Sequence, residues 1–472
     1  MKNIVSIIPL FLLCLFTNAQ QPLTGRNSVI KVKADAITYL YGTKASKSTG
    51  DVSRNNGDFL TFSGTATIEW VINVAAGGTY EINFTYGLKS DSSVNNLVEI
   101  ETGKNNITQK IYPTFGAFGQ GSYERILLKE KVEMQAGEQL LALRVPAAPE
   151  RKVLNFRCLE LIPMAAKQAI QFDMEEAEKS RANTEWLNKA GYGVMFHWTS
   201  QSVNKDGTQK PYELAVKEFN LGAFVNMVTT TGAAYVIFTI GHAEPFCPAP
   251  IKSWENYHPG HTTKRDLVAE MADALSARGI KLLCYFPTHI IAKYKKATEK
   301  EFTEMNKNII TEFGERYGKK IAGYWFDGWY QCYEEYPGFS FKDFFKICKA
   351  GNPDRIVALN SWIYPPVTEW QEYWAGETAS PVELPVAGTL KRGPGKGLRY
   401  QALLIMEPYW VQEKADIPDP RFTSDKLSEY ILNCKKNGGA VTINMGIYQD
   451  GTVGTKALEV MKEVRKRVGS DR

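Results

Sequence analysis

The stretch "IAGYWFDGWYQCYEEYPG", residues 321–338, runs apolar for six residues and then meets Asp327, a lone carboxylate among Trp325, Phe326, Trp329 and Tyr330. A carboxylate framed by indoles at the end of a hydrophobic strand can attack a substrate carbon where aromatics limit water. It can equally cap the segment that follows. Glu377 and Glu407 close two later apolar runs, "EYWAGE" and "ALLIMEP", and carry the same double reading: proton donor to a leaving group, or salt-bridge residue at a rim. Glycoside hydrolysis needs such a pair, one carboxylate to attack the anomeric carbon and one acid to protonate the departing oxygen.

The other polar candidates cluster in the same part of the chain. All five histidines fall between residues 197 and 289, and nine of the ten tryptophans lie beyond residue 185. Indoles offer flat apolar faces to sugar C–H groups, and His197, His242 and tyrosines such as Tyr285 can recognise hydroxyls. Either histidine can also be a satisfied structural residue, and Trp325 and Trp329 can be core packing. Competing chemistries have no footing: there is no G-x-S-x-G elbow, no phosphate-binding G-x-x-x-x-G-K-[ST] loop and no H-E-x-x-H pair. "HPGH" at 258–261 reads as a Pro/Gly turn rather than a metal site, so no metal or organic cofactor is expected.

What must position these groups is a series of eight β-like runs separated by helical segments. They are "GYGVMFHW" (191–198), "AAYVIFTIG" (233–241), "IKLLCYF" (280–286), "IAGYWFD" (321–327), "RIVALN" (355–360), "EYWAGE" (372–377), "ALLIMEP" (402–408) and "AVTINMG" (440–446). Between the second and third, "TKRDLVAEMADALSARG" puts Leu267, Met271, Ala274 and Leu275 on one helical face and ends on Gly279. Eight strand–helix units in this length predict a (β/α)8 barrel, whose active site lies at the C-terminal ends of the strands. The run ends are therefore the candidates: His197 with Trp198, His242 with Glu244, Tyr285 with His289, Asp327, Asn360, Glu377, Glu407 and Asn444.

Residues 22–162 have a different grammar, short strands broken by turn signals such as "TATIEWVINV", "AAGGTYEINFTYG" and "KVLNFRCLELIP", which predict a β-sandwich. With 472 residues, more than one hydrophobic core fills, two domains are expected, 20–163 and 164–472. Residues 1–19 read as a signal peptide: Lys2, a thirteen-residue apolar run from Ile4 to Phe16, then Thr17-Asn18-Ala19. The run is too short to span a bilayer, so the chain is expected to be exported, periplasmic or extracellular. Loss of Lys2 would leave about +4 from the formal charge of +5, too dilute for a nucleic-acid partner. Six cysteines remain after the leader, none in a C-x-x-C pair and most inside apolar runs, so few or no disulfides are expected.

Residues 180–455 resemble the glycoside hydrolase family 29 α-L-fucosidases. The resemblance rests on "YGVMFHWTSQSV", "GAAYVIFTIGHAEPF", "RDLVAEMADALSARGIKLLCYF", "IAGYWFDG" and "CKKNGGAVTINMGIYQDGTVG", in the family's order. It implies a retaining exo-glycosidase on an oligo- or polysaccharide, with Asp327 as nucleophile and His197 and His242 hydrogen-bonded to the sugar. The family's lysine, second histidine, aspartate and glycine are replaced in "TIGHAEPF" by Gly241, Ala243, Glu244 and Pro245. The family's acid/base segment aligns best with "YQALLIMEPYW", which sets Gln401, unable to give a proton, where the glutamate is often found. Glu377 and Glu407 are the candidates for that role, with Trp198, Glu244, Tyr285, Trp325 and Trp329 shaping the sugar subsite. The same barrel running an elimination, or binding a glycan without catalysis, are the alternatives. The first domain resembles carbohydrate-binding modules of the family 6 and 35 type, and a purely bracing sandwich is the other reading.

Overall fold

The computed structural model describes residues 29–54, 59–91, 93–114, 123–148, 150–287, 297–329, 332, 335–362, 364–381, 388–390 and 395–469. The leader, His289 and residues 115–122 lie outside this set. Contacts divide the chain into two compact units, Met1–Ile82 with Ser90–Tyr112 and Leu128–Pro163, and Asn83–Lys89 with Pro113–Leu127 and Met164–Arg472.

The N-terminal strands form one hydrogen-bonded sheet of eleven strands, where the sequence predicted the two sheets of a sandwich. The join is made by long strands. Leu60–Val74 alternates buried and less buried residues over fifteen positions, pairs at its start with Leu154–Phe156 and for the rest of its length with Gly137–Val145. A strand that changes partners along its length carries the ladder from one layer to the next. Trp70 is fully buried and gives its indole N–H to the Tyr41 carbonyl at 2.9 Å.

The second unit is built on eight parallel strands: β1 (Tyr192–Phe196), β2 (Tyr235–Thr239), β3 (Lys281–Phe286), β4 (Ile321–Phe326), β5 (Ile356–Leu359), β6 (Glu377–Ala379), β7 (Gln401–Ile405) and β8 (Ala440–Asn444). Their order in the sheet is β5-β4-β3-β2-β1-β8-β7-β6. Helices cover the outer face. Leu267–Ser276 is capped by Asp266, whose side chain accepts from the Ala269 N–H, and buries Leu267, Met271 and Leu275 against the sheet. Seven runs foreseen in the sequence are these strands to within three residues at either end. The sixth is not: residues 372–376 make only a bridge at Tyr373, and the strand begins at Glu377. Gly376 is the reason. It has φ +63°, and a Cβ there would stand 1.7 Å from the Gln401 carbonyl oxygen, so the chain turns where the run was expected to pair.

Strands buried on both faces divide their side chains by parity. Met195, Leu283, Tyr285, Trp325, Ala358, Ala375 and Leu403 pack into one core on one face of the sheet. Phe196, Trp198, Phe286, Tyr324, Phe326 and Leu404 pack into the other, with the helices. The edge of β5 that would meet β6 is satisfied by side chains. Glu372 accepts from the Val357 N–H at 2.7 Å, from the Ala182 N–H at 3.1 Å and from the Lys349 ammonium, while Gln371 accepts from the Leu359 N–H at 3.1 Å. Burial pushes the Glu372 carboxyl upward against the pull of Lys349 and the N–H donors. Removing the carboxylate in Glu372→Ala strands a half-buried ammonium and two donors, and should lower stability by about 3–5 kcal/mol. Urea unfolding of the full chain reads this, and a change below about 1 kcal/mol would deny Glu372 that role.

Candidate active site

On β1, β4 and β5 parity carries the inner face one step past the last strand residue, and on β6 Glu377 opens the strand itself, paired with Leu403. Two residues beyond Met195, Trp325, Ala358 and Ala375 stand His197, Asp327, Asn360 and Glu377, and all four project toward the same end of the sheet. A cavity of about 140 Å³ opens there, lined by His197, His242, Trp325, Asp327 and Glu377 and closed by Trp362 and Trp410.

Asp327 is held by three donors. Its Oδ2 accepts from the Tyr285 hydroxyl at 2.5 Å, and its Oδ1 from the Gly328 N–H and the Asn360 amide, both at 2.8 Å. The same Asn360 nitrogen donates to Glu377 Oε2 at 2.6 Å. Since 2.8 and 2.6 Å meet at one nitrogen, those two carboxylate oxygens are at most their sum, 5.4 Å, apart. Burial first, and the charge of Asp327 second, push the Glu377 carboxyl up to about 8, opposed by the Asn360 hydrogen bond. Glu377 thus keeps its proton at neutral pH.

His197 is buried, and its Nδ1 lies 2.7 Å from Asn444 Oδ1. The Asn444 amide nitrogen donates to the Trp410 carbonyl at 3.2 Å, which leaves Oδ1 as acceptor and makes Nδ1 of His197 the protonated nitrogen. Burial, with His242 5.6 Å away, pushes the imidazole down to about 3. It is therefore neutral, and its Nε2 is an acceptor for a ligand hydroxyl. His242 is also held low by burial, against the pull of Asp327 and Glu413, and its buried Nδ1 has no hydrogen-bond partner among the described residues. Trp325 stacks on Tyr285 at 5.2 Å and 16° and gives its indole N–H to the Ala375 carbonyl, which ties β4 to the residues leading into β6.

Four of the predicted residues lie elsewhere. Trp198 faces the helices, its indole N–H bonded to the Gln449 carbonyl and its ring against Tyr212 and Phe219. Trp329 is packed among Phe302, Phe339 and Phe344. Glu244 is exposed, accepting from the Ser200 hydroxyl. Glu407 is buried away from the cavity lining, accepts from the Gly446 N–H at 2.8 Å, and burial lifts its carboxyl to about 7. Gln401 opens β7, at the opposite end of the strand from the cavity, and bonds Thr442 at 2.9 Å. Its inability to donate a proton thus has no bearing on the site. Trp362 and Trp410 escaped the sequence reading because they sit on loops; their signal is an aromatic two or three residues past a polar strand end. Among the described residues no group of three or more His, Cys, Asp or Glu is placed to hold a metal ion, and the six cysteines are buried and unbridged.

A carboxyl that binds its proton more tightly in the folded chain than in the unfolded one loses stability as pH rises from its ordinary 4.5 toward about 8. Glu377→Gln removes that loss. The variant should match the wild type in denaturant midpoint near pH 4.5 and exceed it at pH 8; parallel curves across that range would contradict a proton held at Glu377.

A family profile described as Alpha-L-fucosidase matches residues 209–468. The tissue alpha-L-fucosidase of Bos taurus is 24% identical over 226 residues, covering 39% of this chain and 47% of that protein, so the chain spans about half the length of this curated relative. Among solved structures, alpha-L-fucosidase isoenzyme 1 from Paenibacillus thiaminolyticus is 17% identical, with a TM-score of 0.46, over 61% of this chain and 75% of that one. An alpha-L-fucosidase from Lactobacillus casei in complex with its alpha-L-fucose product is 16% identical, with a TM-score of 0.43, over 61% of this chain and 98% of that one.

Proposed function

Since the chain belongs to the alpha-L-fucosidase family, we propose that it is a retaining exo-glycosidase with Asp327 as nucleophile and Glu377 as acid/base. The observation that carries this is the single Asn360 nitrogen shared by the two carboxylates, which keeps their facing oxygens within 5.4 Å, the sum of 2.8 and 2.6 Å. Retaining glycosidases hold their carboxyl groups about 5–5.5 Å apart, whereas inverting ones leave about 6.5–9.5 Å for a water.

In this mechanism an Asp327 oxygen attacks the anomeric carbon while the bond to the leaving oxygen breaks and that oxygen takes the Glu377 proton. The sugar is then an ester of Asp327. Glu377, now a carboxylate, takes a proton from water, which attacks the same carbon and returns Asp327 with net retention. Tyr285, Gly328 and Asn360 aim the nucleophile by their hydrogen bonds. His197 Nε2 accepts from a sugar hydroxyl, and Trp325, Trp362 and Trp410 face the ring's C–H surface and the methyl of a 6-deoxy sugar. A cavity of about 140 Å³, smaller than the ~300–1,000 Å³ pockets that enclose drug-sized ligands, suits one terminal sugar ring and hence exo action.

The reading extends to the rest of the chain. A complete (β/α)8 barrel is supported by backbone bonds across the gap between β5 and β6, Glu372 N–H to the Val357 carbonyl at 2.9 Å and Trp374 N–H to the Arg399 carbonyl at 2.9 Å. Export to the periplasm or cell exterior is supported by the leader composition. A glycan-holding role for the N-terminal domain is supported by Tyr112, 60% exposed beneath the Lys110 ammonium.

The test is incubation with aryl α-L-fucosides, other aryl glycosides and fucosylated oligosaccharides. Released fucose with retained anomeric configuration is the expected result. Asp327→Asn should lower kcat/KM by about 10³-fold or more with folding intact. Glu377→Gln should cost about 10²–10⁴-fold on poor leaving groups and little on activated aryl ones in the first step. In the wild type kcat/KM should fall as pH rises through about 8, where Glu377 loses its proton. A product 18 mass units lighter than the substrate, without free sugar, would replace hydrolysis by elimination.

A further inference from the structure

Asn360 is fully buried, and four groups converge on it. Its backbone N–H donates to the Phe326 carbonyl at 2.7 Å, its Oδ1 accepts from the Trp362 N–H at 2.9 Å, and its Nδ2 meets Asp327 at 2.8 Å and Glu377 at 2.6 Å. Because Oδ1 faces an N–H donor, the amide has one satisfied orientation, with both Nδ2 hydrogens toward the carboxyl groups. Each carboxyl group therefore receives one of them.

A neutral carboxylic acid accepts at its carbonyl oxygen and donates from its hydroxyl. With Oε2 of Glu377 taken by the Asn360 N–H, the proton belongs on Oε1, which has no protein partner among the described residues. A second observation points to the same place. The non-glycine residues with left-handed backbone, among those described, are Trp362 (φ 50°) and Ala379 (φ 57°). Each stands two residues past a member of this cluster, Asn360 and Glu377. Such conformations cost about 1–3 kcal/mol, persist only where surrounding contacts hold them, and gather at functional sites. The bond to Asn360 Oδ1 is what holds Trp362.

We propose that Asn360 is a positioning residue that places the acid proton on Oε1 of Glu377 and, through its other end, sets the Trp362 wall of the sugar site. One side chain then fixes both where the proton is delivered and where the ring is held. The inference rests on the assignment of Asp327 and Glu377 as the catalytic pair.

Asn360→Asp separates the two ends. It keeps an oxygen facing the Trp362 N–H and the shape of the side chain, but it replaces the shared donor by an acceptor. The expected result is a kcat/KM at pH 7 lower by about 100-fold or more on unactivated glycosides, with an unchanged KM for activated ones. The alkaline limb of the pH profile should move upward, since a hydrogen bond that favours the Glu377 anion is gone. Asn360→Ala should move that limb the same way and also raise KM, because the Trp362 N–H loses its acceptor; it serves if the aspartate variant does not fold. An active wild type matched by Asn360→Asp in rate and pH profile overturns this inference alone. A wild type that releases no sugar from any glycoside overturns the catalytic assignment and this inference with it.

Discussion

A parallel sheet packed on both faces leaves no room along its length for an unpaired polar side chain, and the rest of this structure follows from that restriction. Met195, Ile237, Leu283, Tyr285, Trp325, Ala358 and Leu403 fill the inner face with apolar or aromatic groups, and the polar Gln401 and Thr442 are accepted there bonded to each other. The first positions of the same parity where a charge can be tolerated are those just beyond the last paired residue, because there the side chain reaches the mouth rather than the core. His197, Asp327 and Asn360 take those positions, Glu377 joins them from the first residue of β6, and the candidate site is in effect the end of the inner core.

Placing two carboxyl groups in so dry a mouth makes them unequal. Burial first, and the neighbouring Asp327 charge second, raise the Glu377 carboxyl. Asp327 has three donors and Glu377 one, shared. The two carboxyl groups thus differ in hydrogen-bond count as well as in burial. His197 follows the same logic: a buried imidazole beside another histidine stays neutral, and Asn444 chooses its tautomer.

The gap between β5 and β6 shows how the fold manages a strand edge without a partner. Glu372 and Gln371 stand in for the missing ladder, and Lys349 offsets the buried charge. Nearby Arg355, wholly buried, donates to carbonyls of Ile321, Cys348, Ala350, Gly314 and Gly318, so its guanidinium staples the start of β4 and β5 to the preceding helices. These satisfied polar groups hold the residues that lead to Glu377 at a fixed distance from Asp327.

Seven of eight strands could be placed from composition because fully buried strands are continuous apolar runs, and Asp327 stood out because it ended one of them. The sixth could not, since "EYWAGE" has the composition of a strand while Gly376 turns it. Parity was already legible and would have set Trp198 aside, three residues from the inner-facing Met195, whereas Trp329 shares the parity of Trp325 and only its packing among Phe302, Phe339 and Phe344 sets it aside. The sequence by itself determined the alternation of elements and the carboxylate at the end of β4, since local pattern and hydrophobic period carry these, while its motifs carried the resemblance to the family. That Glu377 and not Glu407 lines the cavity, that Gln401 stands at the far end of β7, that Trp362 and Trp410 line the cavity and that Asn360 is shared were decided only by the tertiary structure. Each depends on distances between residues far apart in the chain, and those distances are set by how the strands pair and pack.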